Sequence, residues 1–112
     1  MQLEIKKYLY DILEAAKDID KYTSGFEYSS FIKNSMVQAA VERKFQIIGE
    51  ALNRIKRLDN SVLQDISEHQ RIIAFRNIIV HGYDVIDSEI MWDAIKNHLP
   101  KLKEETKQLL NA

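Results

Sequence analysis

The stretch SMVQAAVERKFQIIGEALNRIKRL, residues 35–58, decides the fold class. Val37, Val41, Phe45, Ile48, Leu52 and Ile55 recur at spacings of four and three, the stripe of one α-helix face. A strand would instead alternate its apolar residues with period two. Met36, Ala40, Ile47 and Ala51 widen the stripe. A face that wide packs against two neighbours, or against one neighbour and a second subunit. Gly49 in mid-helix costs about 1 kcal/mol against alanine, so close approach of another helix is expected there.

Working outward, glycine stands only at 25, 49 and 82 and proline only at 100, which leaves long unbroken segments. Ile5, Leu9, Ile12, Ala16 and Ile19 mark a first helix, closed by Thr23, Ser24 and Gly25. Ser29 or Ser30 is expected to cap a short turn around Phe31. After the central helix, Asp59, Asn60 and Ser61 break the chain and cap another short helix. A further helix runs from about His69 to His81, with Ile72, Ile73, Phe75, Ile79 and Val80 apolar. Asp87 or Ser88 caps the last helix, where Met91, Ile95, Leu99, Leu102, Thr106 and Leu109 hold a face. Pro100 lies inside that helix and is expected to kink it. The expected fold is an all-α bundle of four main helices plus short helical turns, one domain over residues 1–112.

Composition narrows the function classes. The chain is 46% hydrophobic and 29% charged, as a packed domain requires. It has no cysteine, which removes disulfides and thiolate metal sites. A net charge of −1 excludes a general electrostatic sponge for nucleic acid, though not a local basic surface. Met1–Lys7 carries no signal-peptide pattern, and no apolar run approaches the roughly 20 residues that span a bilayer. A cytoplasmic protein without a membrane partner is therefore expected. His69, His81, His98 and the acidic residues show no ligand spacing such as H-E-x-x-H, so neither metal nor cofactor is expected.

The chemistry concentrates in RNIIVHGY, residues 76–83. Arg76 sits among isoleucines and Val80, where a guanidinium is costly unless something anionic meets it. Gly82 is a natural residue just past a helix end, which puts His81 in the last turn and Tyr83 beyond it. The negative end of the helix dipole favours the imidazolium form of His81. Residues five apart differ by about 140° and about 7.5 Å of rise, so Arg76 and His81 do not share a face, whereas Asn77 and His81 do. Two readings stand on these residues alone. Arg76 pairs with a carboxylate such as Glu50 and His81 caps carbonyls, or the two form a reactive site.

Arg76, Asn77, His81 and Tyr83 match every fixed position of R-N-x-x-x-H-x-Y, and the segment resembles that signature of the HepT-like family of HEPN domains. The likeness extends along the chain: Ile48-Gly49-Glu50-Ala51 is similar to the family's I-G-E-A, and Leu99-Pro100 to its L-P. The resemblance implies a homodimeric helical toxin with endoribonuclease activity, encoded beside a small nucleotidyltransferase antitoxin. Two copies of the helix, facing each other across a two-fold axis, would bring Arg76 and His81 to one cleft. There the 2′-hydroxyl of RNA attacks the adjacent phosphate without a metal. His81 would act as general acid or base, and Arg76 would stabilise charge on the phosphoryl oxygens. Asn77 would orient His81 or hold phosphate, with Glu50 in support. The resemblance also implies that the antitoxin transfers AMP to Tyr83. A phosphate there would occupy the place of the RNA phosphate. The alternative to a staple is an acceptor: a staple would pack the Tyr83 ring on the last helical turn.

Other residues carry weaker signals. Arg54, Lys56 and Arg57 form a basic cluster able to guide RNA phosphates or simply to stay solvated. Glu50 falls on an edge stripe with Arg43, Ile47 and Arg54, where an ion pair is the plainer role. Trp92, Tyr8 and Tyr10 read as core or interface packing, and His69 and His98 as surface residues. The rival functional class is a non-catalytic helical subunit that binds substrate or docks a nucleotidyltransferase. A purely structural dimer is the third.

Overall fold

The computed structural model describes residues 1–80 and 88–111, and within these the side chains of all but 78–80. No strand forms among the described residues; the fold is all-α. Helix α1 spans Leu3–Thr23, α2 Tyr28–Phe31, α3 Ser35–Leu58 and α4 His69–Val80, with a 3-10 turn at Asn60–Asp65. The last run consists of α5 Ser88–Asp93, a π-helical turn Ala94–His98 and α6 Leu99–Asn111.

The central helix behaves as its periodicity requires. Val41, Phe45, Ile48, Leu52 and Ile55 are fully buried, and α3 packs against both α1 and α4. The first-helix stripe, Ile5, Leu9, Ile12, Ala16 and Ile19, is buried opposite it, and α6 closes on α1 through Leu99 and Leu102. Each buried Val, Leu, Ile or Phe side chain contributes about 1.5–3 kcal/mol relative to exposure, so this layer outweighs any surface pair. The widened stripe is narrower than expected. Met36 is 81% exposed, because it lies in the first turn, before α3 meets its neighbours. Ala40 and Ile47 are half-buried. Tyr10 also stands outside the core, whereas Tyr8 packs on its margin. Trp92 stacks at a tilt on Phe31, 5.0 Å between ring centres.

Local hydrogen bonds set the element ends. Thr23 Oγ1 donates to the Ile19 carbonyl at 2.8 Å, and Gly25 takes a φ of +80° that lets the chain leave α1. The caps of α2 differ from the serine expectation. Glu27 is the N-cap, and Ser30, three residues on, accepts the Glu27 N–H at 3.0 Å. Asn34 caps α3 by accepting from the Val37 N–H at 3.0 Å. Asp59 ends α3 and accepts the Ser61 N–H at 3.0 Å, which starts the 3-10 turn.

The expected Pro100 kink takes the form of the π turn just before it. The Leu99 N–H bonds to the Ala94 carbonyl, five residues back. Proline has no N–H, and its ring crowds the carbonyl four residues earlier, so widening the preceding turn relieves both problems. His98, in that turn, is not a surface residue. It is drawn in by two carboxylates, Glu68 at 3.0 Å from Nδ1 and Asp93 at 3.2 Å from Nε2. The Asn97 amide, and then His98, hold the Asp93 carboxyl below the usual carboxylate range. His69 is likewise half-buried, at the start of α4.

Candidate functional site

Helix α4 is laid against α3 by its buried residues Ile72 and Phe75, the latter meeting Phe45 edge-on at 5.0 Å. That packing carries Arg76 directly over Gly49. A Cβ built on Gly49 would stand 2.3 Å from Arg76 Cβ and 2.5 Å from its Cγ. The close approach expected at this glycine is therefore real, and its occupant is the arginine stem. Only a residue without a side chain lets Arg76 cross α3 here.

The guanidinium emerges half-buried beside Glu50. Its Nη2 lies 3.5 Å from Glu50 Oε1, and Nη1 donates to Asn77 Oδ1 at 3.4 Å. Both contacts are long, and Arg76 Nε is buried with no hydrogen-bond partner among the described residues. The arginine is thus held in place more firmly than it is neutralised. Its neighbours reinforce the charge. Glu50, Asn53, Arg54, Arg57 and Arg76 line a recess of about 140 Å³. Three guanidiniums face one carboxylate, an arrangement suited to a phosphate or another bidentate anion.

Of the sequence-expected residues, Arg76, Glu50, Arg54 and Arg57 come together around this recess, and Asn77 joins it only through its contact with Arg76. Lys56 does not. It lines a neighbouring groove with Asn77, because adjacent positions on a helix point in different directions. Arg54 also reaches the Tyr8 ring, 6.0 Å from its centre. His81 and Tyr83 lie outside the described residues. Asn53 was missed, although it stands three residues after Glu50 and four before Arg57, on the same helix face. Among the described residues no helix is long and apolar enough to cross a membrane.

The family model described as Ribonuclease HepT-like matches residues 12–109. The chain is 36% identical over 102 residues to "Putative RNase MJ1380" of Methanocaldococcus jannaschii, covering 91% of this chain and 93% of that protein. It is 33% identical over 113 residues to "Putative RNase MJ1216" of the same organism, covering 96% and 88%. It is 30% identical over 109 residues to "Probable ribonuclease HepT" of Thermococcus cleftensis, covering 97% and 98%. No solved structure matches it significantly. With its all-α bundle, its Arg76–Gly49 crossing and relatives matched over nearly their whole length, the chain belongs to the HepT-like ribonuclease family.

Proposed function

We propose that the protein is a metal-independent endoribonuclease, a single domain that works as a homodimer and serves as the toxin of a toxin–antitoxin pair. The observation that carries the reading is Arg76, its stem fixed over Gly49 and its guanidinium set beside Arg54 and Arg57 and only loosely engaged by Glu50. Such a cluster fits a phosphodiester better than it fits a structural ion pair, which would draw the carboxylate close.

In the reaction, the 2′-hydroxyl of one nucleotide loses its proton to a base and attacks the adjacent phosphorus. The bond to the 5′-oxygen of the next nucleotide breaks, and that oxygen takes a proton. His81 supplies the acid–base function and Arg76 meets the charge that gathers on the non-bridging oxygens. Asn77 orients one of them, and Arg54, Lys56 and Arg57 hold the flanking backbone. A second copy across a two-fold axis completes the cleft. A nucleotidyltransferase antitoxin silences the enzyme by adding AMP to Tyr83, whose new phosphate satisfies the same cations.

The test is RNA cleavage by the purified protein in the presence of a chelator. His81→Ala and Arg76→Ala should each lose at least ~100-fold in rate while keeping the helical circular dichroism spectrum. Wild-type rates in either folded variant would reject the assignment. Mass spectrometry of protein co-expressed with its antitoxin should find AMP on Tyr83, and Tyr83→Phe should escape this modification.

A further inference from the structure

Beyond Asn77 lies a groove whose lining, apart from Asn77 and Lys56, has no part in the cleavage chemistry. It has a volume of about 400 Å³ and runs between the end of α3, the 3-10 turn and α4 as far as Asn77. Four carboxamides converge on it: Asn60, Gln64, Gln70 and Asn77. The side chains of Asn60, Gln64 and Gln70 bond to no other described residue, so their donors and acceptors are open. Lys56 is its one formal charge, and His69 with Ile73 and Ala74 supplies ring and apolar surface.

We propose that this groove is a base-recognition subsite, which holds the nucleotide flanking the phosphate bound at Arg76; the proposal rests on the ribonuclease reading above. The volume falls within the roughly 300–1,000 Å³ of small-ligand pockets. Carboxamides present a donor and an acceptor side by side, the pattern that reads the edge of a base. Single-stranded RNA is recognised in this way, with base faces laid on rings and apolar side chains. Lys56 stands ready for the phosphate on the far side of that nucleotide. Asn77 joins the two sites, since it lines the groove and accepts from Arg76 at 3.4 Å. A second protein copy is a poorer occupant. Interface centres are rich in aromatic and apolar side chains, and here carboxamides outnumber the two apolar residues.

Titration of protein labelled with ¹⁵N at its side-chain amides with the four nucleoside 3′-monophosphates tests this, with ribose 5-phosphate as the base-free control. The expected result is a shift of the Asn60, Gln64, Gln70 and Asn77 amide signals, larger for one base than for the others. Asn60→Ala with Gln64→Ala should weaken that nucleotide at least ~5-fold, the lower end of a well-formed amide–base pair, and leave ribose 5-phosphate unchanged. Absence of these shifts, or equal affinity for ribose 5-phosphate, would overturn the subsite. So would shifts that follow protein concentration alone, which would assign the groove to a second copy. The titration needs no cleavage. A chain that binds here but cuts no RNA refutes only the nuclease reading, and one that cuts RNA without these shifts refutes only the subsite.

Discussion

An alanine at position 49 sets two opposing effects against each other. Removing a glycine from mid-helix stabilises by about 1 kcal/mol. The new methyl would stand 2.3 Å from Arg76 Cβ, the stiff root of that side chain, so α3 and α4 must move apart. Overpacking of this kind costs about 1–3 kcal/mol, and a contact this short belongs at the upper end. We therefore expect Gly49→Ala to lower the melting temperature and to impair cleavage by displacing Arg76; a rise in melting temperature would show that the crossing is loose. Glu50→Gln should behave differently. The pair is long and its carboxylate 43% exposed, so its loss costs less than about 1 kcal/mol. Removing the one negative group of the recess should tighten RNA binding, read as a lower Kd at fixed salt, and weaker binding would mean that Glu50 serves the site. At this scale the need of Arg76 for an anion was legible, because a guanidinium amid isoleucines is costly unpaired, whereas the roles proposed for Asn77, His81 and Tyr83 rest on the resemblance. Asn53 and the groove amides Asn60, Gln64 and Gln70 were not, because isolated surface polar residues carry no periodic signal until a neighbour makes the surface concave.

Helix α4 depends on α3 for its position, through Ile72 and Phe75 on one side and the Arg76 crossing on the other. Phe75→Ala should destabilise by about 3–5 kcal/mol, since it empties the edge-on contact with Phe45. Denaturant unfolding checks this, and a loss below 1 kcal/mol would mean that α4 is seated by other contacts. The helices themselves were readable from apolar spacing and the scarcity of glycine and proline. The π turn at Ala94–His98 was read only as a kink, because the sequence shows that Pro100 disturbs a helix without showing where the strain is relieved. The partial burial of His98 was missed for a related reason. Asp93 precedes it in the same helical run, but Glu68 comes from the turn before α4, and only the fold brings that carboxylate to His98.

At the scale of the molecule, the bundle explains why one chain is proposed to be insufficient. On an ideal helix residues five apart, such as 76 and 81, are separated by about 140°, and the proposed two-fold apposition of α4 would remove that obstacle. Light scattering at micromolar concentration should give a mass near twice 13.1 kDa, and a monomer active in RNA cleavage would remove the need for the partner. The all-α architecture was legible in the helical period of residues 35–58, repeated in the segments on either side, and in the lack of any sustained alternation. The dimer is proposed from the resemblance, the wide apolar face of residues 35–58 and the angular separation of the pair, since a half-buried helix face is equally consistent with a neighbour in the same chain. The most direct test of the central claim is the chemistry of the ends left on a cleaved RNA oligonucleotide in the presence of a chelator. Attack by the 2′-hydroxyl predicts 2′,3′-cyclic phosphate and 5′-hydroxyl ends from the wild type, with Arg76→Ala slowed at least ~100-fold in a folded protein. Ends carrying 3′-hydroxyl and 5′-phosphate, or an undiminished rate in Arg76→Ala, would contradict it.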